Sequence, residues 1–168
     1  MPTILTKGNV YLGKSLFGQF SKFTAPDIDM ATLEIKNAIG SYNLPTAINA
    51  MKSTLTLIGF DKEVFSKVGN PYQELNLTAY GSLDKYSNET LESSEQAKLV
   101  IRGSSQKFSL LGELEQQNNI EQAIEFNVSA AKLYINNVEK YAIDIPNLIW
   151  RVNGVDILAT VRKNLGIT

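Results

Sequence analysis

Residues 124–129 read Ile-Glu-Phe-Asn-Val-Ser, and residues 53–58 read Ser-Thr-Leu-Thr-Leu-Ile. In both stretches apolar and polar side chains alternate, which places the apolar ones on one face of an extended chain. The same period of two recurs in residues 74–79 and 98–102. Repeated half-buried strands are typical of a mainly β protein, so we predict an antiparallel β-sandwich or partly closed barrel.

Two short pairs of residues predict hairpin turns between these strands. Asn136-Asn137 separates two apolar runs, and Asn tolerates the positive φ values of tight turns. Gly13-Lys14 separates residues 9–12 from residues 16–23 in the same way. Residues 37–50 and 83–96 follow neither period, and we predict them to be long loops.

Helical patterns are confined to two segments. Residues 61–68 predict a short central helix with Asp61 as its N-cap and Gly69 as its end. Near the C-terminus, apolar residues recur at spacings of three and four, which predicts a C-terminal helix that closes one end of the barrel. In this interpretation Asn153 is the N-cap and Gly166 ends the helix.

Composition excludes several kinds of chemistry. The 168 residues include no cysteine and no histidine, which excludes disulfides, thiolate nucleophiles, Ser-His-Asp triads and most zinc sites. The length suits one domain over residues 1–168, and an enzyme would have to use carboxylates, Lys or Tyr. We predict no cofactor or metal. Sixteen basic and 17 acidic residues give a net charge of −1 without a basic cluster, which argues against a dedicated nucleic-acid binder. Without a leader or a long apolar run, we expect a cytoplasmic, non-membrane chain.

Local motifs for catalysis are weak. Ser104 and Lys107 have a Ser-x-x-Lys spacing but lack the Lys-Thr-Gly strand that this chemistry needs. Glu113 and Glu115 lie in a polar stretch, which is more typical of a solvated loop than of a glycosidase pair. The stretch from residue 108 to residue 131 contains four glutamates and no Lys or Arg. It is either an ordinary solvent-facing strand and loop or an acidic surface that repels polyanions.

Residues 132–167 carry a recognisable ending. A hairpin and an Ile143-Asp144 element precede a tail motif, which comprises Asn153, Gly154, Val155, Asp156, Arg162, Leu165 and Gly166. This ending resembles that of the major tail tube proteins of contractile-tailed bacteriophages and the tube proteins of R-type bacteriocins. The chain has Asn136-Asn137 where that family commonly has Asp-Gly, a physically conservative difference.

The resemblance implies a structural protein rather than a catalyst. It implies hexameric rings that stack into a tube inside a contractile sheath, with a lumen that conducts DNA or ions. The implied partners are further copies of the chain, the tail sheath, the tape-measure protein and the baseplate proteins, while DNA passes without specific binding. The implied location is the bacterial host cytoplasm during assembly, then a virion tail or a released tail-like particle. The resemblance fits the tube of a phage, of a bacteriocin or of another injection system equally well.

Two alternatives stay open at this point. A type VI secretion tube protein shares the expected fold and ring but not the tail motif. A monomeric carbohydrate-binding β-sandwich would use an exposed aromatic platform, for which the chain has seven tyrosines.

Two surfaces follow as expectations for a tube subunit. We predict that the loop 37–49 makes the contact between stacked rings, through Gly40, Ser41, Tyr42 and Leu44. We predict that the polar side of one strand faces the lumen, through Glu121, Glu125, Asn127 and Ser129. A lumen wall without Lys or Arg would let DNA pass without holding it.

Overall fold

A computed structural model describes residues 3–16, 20–59, 62–111 and 115–167. It contains strands β1 (Thr3–Leu12), β2 (Ser15–Leu16), β3 (Phe20–Thr24), β4 (Met30–Lys36), β5 (Ser41–Ile48) and β6 (Met51–Ile58), followed by helix α1 (Lys62–Val68). Strands β7 (Leu75–Ser87), β8 (Thr90–Phe108), β9 (Glu121–Ile135), β10 (Val138–Asp144), β11 (Ile149–Val152) and β12 (Val155–Asp156) then lead to helix α2 (Ala159–Asn164). The predicted mainly β fold with two short helices is confirmed.

The strands form one branched antiparallel sheet and one separate hairpin. The main order is β12-β11-β10-β9-β8-β7-β1-β2, and β6 with β3 joins the sheet at β9. One edge of β9 pairs with β8, while its other edge pairs first with β6 and then with β10. The sheet therefore curls around a core without closing, which agrees with the predicted partly closed barrel.

The core lies where the alternating strands face one another. Leu55, Ile124 and Phe126 are almost completely buried, whereas their neighbours Thr54 and Glu125 point to the opposite face. Helix α1 adds Val64 and Val68 to this core. The period of two thus fixed which side chains enter the core, because a strand exposes alternate residues to opposite faces.

Tight turns at several places have the positive φ values that the sequence indicated. Asn136 and Asn137 have φ angles of 50° and 63°, so the predicted β9–β10 hairpin is confirmed. Gly13-Lys14 joins β1 to β2 as predicted, with Leu12 paired to Ser15. Residues 17–19 of the second predicted strand lie outside the described residues, and β3 pairs with β6 rather than with β1.

Both predicted long loops are wrong. Residues 83–96 continue β7 and β8 and turn at Asn88-Glu89, whose φ angles are 48° and 68°. Residues 41–48 form β5, which pairs with β4. Residues 41–47 and 90–96 are exposed on both faces of their strands, and the buried residue of the β7 part is the polar Asp84, so neither segment has the apolar alternation that marks a half-buried strand.

The helix ends were predicted better than the helix starts. Helix α1 ends at Val68, directly before Gly69, while Asp61 lies outside the described residues. At α2, the Gly166 amide donates to the Lys163 carbonyl and the Ile167 amide to the Arg162 carbonyl, which forms a Schellman motif. Gly166 has a φ of 72° and therefore ends the helix as predicted.

The predicted start and role of the C-terminal helix are wrong. Helix α2 begins at Ala159, and Asn153-Gly154 instead form the turn between β11 and β12 with φ angles of 50° and 80°. Helix α2 contains no buried residue, so it does not close the barrel as a packing element.

Candidate assembly surfaces

Strands β4 and β5 form a two-stranded hairpin that stands apart from the main sheet. Within the described part of the chain, each of these strands pairs only with the other. An isolated two-stranded hairpin is at best marginally stable in water, because it has no layer to cover either face. The β4–β5 hairpin is therefore a candidate for contact with another molecule.

The β4–β5 hairpin is amphipathic. Leu33 lies opposite Leu44, and Ile35 lies opposite Tyr42, so these four side chains share one face. The alternate pairs, Glu34 with Asn43 and Lys36 with Ser41, occupy the other face. The side chains of Leu33, Tyr42 and Leu44 are 55%, 51% and 44% exposed. An exposed apolar strip of this kind is typical of an interaction surface.

The tip of the hairpin is fixed by a side chain. The Oδ1 atom of Asn37 accepts hydrogen bonds from the Ile39 amide at 3.0 Å and the Gly40 amide at 3.1 Å. This arrangement holds Ile39 at the tip with its side chain 99% exposed. Sequence reasoning missed Ile39, although a bulky apolar residue before a glycine was the available signal.

The predicted inter-ring residues are all on this hairpin but not on one face. Gly40 is at the tip, Tyr42 and Leu44 are on the apolar face, and Ser41 is on the polar face. The structure adds Leu33 to the apolar face. Register, which the sequence alone did not give, decides which of these side chains can act together.

The base of the hairpin is held by two residues that the sequence did not single out. The Asn49 amide donates to the Asp29 carbonyl at 2.8 Å, and Asn49 Nδ2 donates to Asp29 Oδ2 at 3.0 Å. The two bonds join the strands where they leave the main sheet. Residues 29–49 therefore project from the main sheet as one unit.

The predicted lumen residues lie along β9. Glu121, Glu125 and Asn127 occupy the face opposite the core, as the alternation predicted. Ser129 is at an irregularity, because the pairing of β8 with β9 skips it between Ala130 and Val128. Its hydroxyl donates to the Arg102 carbonyl at 3.1 Å. Ser129 is thus part of a β-bulge that changes which residues of β9 face the core.

The polar face of β9 is mixed in charge. Lys107 is the cross-strand neighbour of Glu125, and Lys52 is the neighbour of Asn127. Directly paired residues share a face, so lysines from β6 and β8 lie beside the glutamates of β9. The expectation of an acidic face without Lys or Arg is therefore wrong, although residues 108–131 themselves contain none.

The charged residues of the tail motif, Asp156 and Arg162, have a local structural role. Arg162 forms an ion pair with Asp156, and its Nη1 also donates to the Leu148 carbonyl at 2.8 Å. Asp156 Oδ1 accepts the Leu158 amide at 3.1 Å. The hydrogen bond from Arg162 lowers the pKa of the Asp156 carboxyl below its ordinary value, and the same bond raises the pKa of Arg162. These contacts tie α2 to β12 and to the β10–β11 turn.

The other residues of the tail motif leave apolar surface in solvent. The side chains of Val155 and Leu165 are 68% and 61% exposed. Asn153 and Gly154 make the exposed turn, and Gly166 ends the helix. The motif thus has a backbone held by hydrogen bonds and an ion pair, while two of its apolar side chains are exposed to solvent.

The Ile143-Asp144 element also has a clear role. Ile143 belongs to the core, and Asp144 accepts Arg102 Nη2 at 2.9 Å across two strands. Asn147 Nδ2 donates to the other oxygen of the same carboxylate at 2.8 Å. Asp144 therefore links β8 to the β10–β11 turn through an ion pair in which only the carboxylate is nearly buried.

The described residues contain no group of three or more acidic side chains placed to hold a metal ion. Glu115 accepts a hydrogen bond from Asn118 at 2.7 Å, and Glu113 lies outside the described residues. Tyr80 and Tyr134 flank the Lys98 ammonium at 5.8 and 5.4 Å, so these rings are not a free aromatic platform. Among the residues that can be placed, neither helix has the length and apolar composition to cross a membrane.

An open antiparallel sheet, together with an amphipathic hairpin that pairs with no other strand among the described residues, is typical of a structural subunit that assembles through its surfaces. The chain belongs to the phage tail tube protein FII family, whose model matches residues 2–166. It is therefore a structural tail tube subunit of a tail or tail-like particle. The family decides against the carbohydrate-binding alternative. A search of the curated proteins found no match.

Solved structures with the same fold come from contractile injection systems. The terminator of the sheath and tube of the extracellular system PVC is 15% identical, with a TM-score of 0.59 over 80% of this chain and 96% of that one. A chain of the extended PVC sheath–tube complex is also 15% identical, with a TM-score of 0.57 over 80% and 90%. The tube-terminating cap of the anti-feeding prophage has the same identity and a TM-score of 0.59, over 80% and 91%. At this identity the likeness shows the fold.

Proposed function

We propose that this chain, acting as one tail-tube domain over its length, forms hexameric rings that stack into the inner tube of a contractile tail. The observation that carries the proposal is the β4–β5 hairpin, whose apolar face is exposed in the single chain. Burial of such a face between rings would stabilise the stack by about 25 cal/mol for each Å² of apolar surface removed from water. The predicted inter-ring residues Tyr42 and Leu44 lie on that face, and Gly40 lies at its tip.

Free sheet edges support the formation of rings. Within the described residues, the outer edge of β1 has no partner strand between Thr3 and Val10. At the far end of the sheet, β12 is two residues long and, in the part of the chain that the structure describes, pairs with β11 alone. Unpaired edges otherwise invite aggregation, and pairing between subunits satisfies their amides and carbonyls. Edge-to-edge pairing would continue one sheet around a ring.

The lumen is assigned to the polar face that contains Glu121, Glu125 and Asn127. With Lys52 and Lys107 on the same face, the wall would be hydrophilic and nearly balanced in charge. A balanced wall gives little counterion release on contact with DNA, so a passing strand is not held. The mixed charge of this face therefore supports a lumen that conducts DNA or ions.

The remaining partners are the tail sheath, the tape-measure protein and the baseplate. The structures with the same fold include a sheath–tube complex and tube terminators, which supports a sheath outside the tube. We place assembly in the cytoplasm of the bacterial host and the finished tube in a virion tail or a released particle. The role is structural, with no catalytic step.

Negative-stain electron microscopy of the purified protein at high concentration tests the proposal. Rings of six subunits with a central pore, alone or stacked, are expected. A protein that stays a featureless monomer at every concentration, and after addition of particle seeds, would overturn it. Rings with a different number of subunits would support the tube but contradict the proposed hexamer.

A further inference from the structure

The outer edge of β1, which has no partner strand up to Val10 among the residues that the structure describes, is interrupted by a β-bulge. The pairing of β1 with β7 shifts register between Leu5 and Lys7, so Thr6 is the extra residue of the bulge. This Thr6 bulge divides the edge into an outer segment, residues 3–5, and an inner segment, residues 7–10. A regular neighbouring strand cannot pair with both segments, because the extra residue breaks the alternation of outward-pointing amides and carbonyls.

The carboxylate of Asp84 holds Thr6 in place. Thr6 Oγ1 donates to Asp84 Oδ2 at 2.5 Å, and the hydroxyls of Ser94 and Ser82 donate to Asp84 Oδ1 at 2.6 and 2.8 Å. Asp84 is only 9% exposed, so water competes little for these bonds. The hydrogen bonds from Ser94, Thr6 and Ser82 lower the pKa of the Asp84 carboxyl, which is therefore charged at neutral pH and accepts all three bonds. Asp84 thus ties the Thr6 bulge to β7.

A second contact holds the bulge from the opposite face of the sheet. The side chain of Leu5 lies over Gly81, where an added Cβ atom would overlap Leu5 Cδ1. Leu5 is opposite Leu83, so this contact is on the face of β7 that points away from Asp84. The Leu5 side chain remains 63% exposed, so the contact orients it without burying it. The Thr6 bulge is therefore held on both faces by contacts within the chain.

The inner segment has a defined set of outward-pointing groups. The Gly13 amide donates to the Asn76 carbonyl at 2.9 Å, which places Gly13 in a hydrogen-bonded pair with β7. Hydrogen-bonded and non-hydrogen-bonded pairs alternate along antiparallel strands, so every second residue counted back from Gly13 bonds to β7. The amides and carbonyls of Gly8 and Val10 therefore point to the free edge. Directly beyond Val10, β2 already pairs with Tyr11.

We propose that the Thr6 bulge and strand β2 together fix the register in which a second copy of the chain pairs with β1, by limiting that pairing to Gly8 and Val10. The inference rests on the proposed ring of subunits and specifies the contact along its sheet edge. Bulges, inward-pointing charges and edge lysines are features by which natural sheets prevent pairing at an edge. Asp84 and Lys7 add the second and third of these features beside the bulge, so the outer segment is closed to a neighbour. Asp84 acts through Thr6 and is a positioning residue.

A fixed register matters because a ring closes only if every subunit joins its neighbour at the same offset. A slip by two residues leaves every side chain on its original face, so the polar and apolar faces alone do not prevent it. The inner segment comprises residues 7–10, so a partner displaced by two residues would meet either the Thr6 bulge or β2. At the far end of the sheet, β12 is two residues long, which fits within the inner segment. Two limits on one short edge thus favour closed rings over open chains.

Hydrogen exchange resolved to single amides tests the register. Assembled particles and the unassembled chain at low concentration are exchanged under the same conditions and compared. We expect the Gly8 and Val10 amides to exchange at least about tenfold more slowly in the assembly, and the Thr3 and Leu5 amides to stay unchanged. The Asn9 amide, which bonds to β7 in both states, is the internal reference. Equal new protection at Thr3 and Leu5 would show that the bulge does not limit pairing.

A matched pair of variants tests the role of Asp84. Thr6→Val removes the hydroxyl that ties β1 to the carboxylate, while Ser94→Ala removes an equally close hydroxyl on β8 and leaves β1 untouched. Urea unfolding of the unassembled chains should show similar stabilities. We expect only Thr6→Val to raise the share of open chains and unequal rings in electron micrographs, by about fivefold, which corresponds to the loss of one hydrogen bond. Equal effects of the two variants on ring shape would show a merely structural role for Asp84.

The outcomes separate this inference from the proposed function. If tubes form and no amide of residues 7–10 gains protection, the edge contact lies elsewhere and the inference fails while the tube stands. If Thr6→Val assembles into rings as uniform as those of the unmodified chain, the bulge does not set the register. If neither rings nor tubes form at any concentration, the proposed function fails, and this inference fails with it.

Discussion

Gly103 in β8 lies directly against the main chain of Asn127 in β9, so that a Cβ atom at Gly103 would overlap the Asn127 carbonyl oxygen. The pairing of the two strands shifts register at this point, between Arg102 and Gly103. A glycine is needed there because backbone, unlike the end of a flexible side chain, cannot move aside. The contact therefore sets the close approach of β8 and β9, the two longest strands, at the point where their register shifts.

Gly103→Ala is therefore expected to destabilise the fold strongly. The added methyl group must push β8 from β9, and we expect the free energy of unfolding to fall by roughly 3 kcal/mol, the upper end of overpacking costs. Gly40→Ala is the matched control, because nothing lies within 4 Å of a Cβ at Gly40. Urea unfolding followed by circular dichroism measures both. Equal stability of the two variants would contradict the close approach.

Asp144→Ala is expected to destabilise the fold through Arg102. The change removes a nearly buried carboxylate and leaves the guanidinium without its 2.9 Å partner. Because the Arg102 side chain stays 30% exposed, water recovers part of the loss, and we expect about 1–3 kcal/mol. Glu74→Ala, which removes the exposed partner at 3.9 Å, should cost less than about 0.5 kcal/mol. Similar losses for both variants in urea unfolding would refute the distinction.

Substitutions on the hairpin should separate assembly from folding. Tyr42→Asp with Leu44→Asp places charge on the apolar face, while Ser41→Asp with Asn43→Asp places the same charge on the polar face. Both pairs are exposed, so each single change should alter the stability of the monomer by no more than about 0.5 kcal/mol. We expect only the apolar-face variant to stop tube growth, as measured by sedimentation and microscopy. Full-length tubes from that variant would show that this face does not join rings.

The sequence predicted those parts of the fold in which burial leaves a pattern. Leu55 and Phe126 lie in strands with one buried face, so their alternation gave both the strand and its orientation. Asn136-Asn137 and Gly166 were found because positive φ restricts the residue type. These signals are local, and each has a single physical cause.

The parts that the sequence did not predict depend on exposure or on partners distant along the chain. Strand β5 is exposed on both faces, so no alternation marked it, and only its pairing with β4 reveals that Tyr42 and Leu44 act with Leu33. The lysines beside Glu125 come from β6 and β8, and strand order was not readable from composition. Asn153 suits an N-cap and a left-handed turn alike, and the structure uses it for the turn.

Acid should loosen the C-terminal helix before the barrel unfolds. The hydrogen bond from Arg162 holds the pKa of Asp156 below its ordinary value, so the ion pair stabilises the folded tail at all pH values above about 4. That stabilisation is lost as the pH falls through the lowered pKa of the folded state, because Asp156 then takes up a proton. Arg162→Gln should expose the amides of residues 159–164 already at neutral pH. Hydrogen exchange at neutral and acidic pH measures both effects. Unchanged protection in Arg162→Gln would contradict the assigned role.

The polar face of β9 makes the assigned lumen testable through its charge. Glu121→Lys with Glu125→Lys would leave Lys52 and Lys107 without opposing charges on that face. Assembly should persist, because both glutamates point away from the core. If the face lines the tube, the added cations bind passing DNA through counterion release, so DNA release from particles should slow at low salt and recover as salt rises. Glu121→Gln with Glu125→Gln is the matched control and should slow release less. Release kinetics that match the unmodified particle at low salt would place this face outside the lumen.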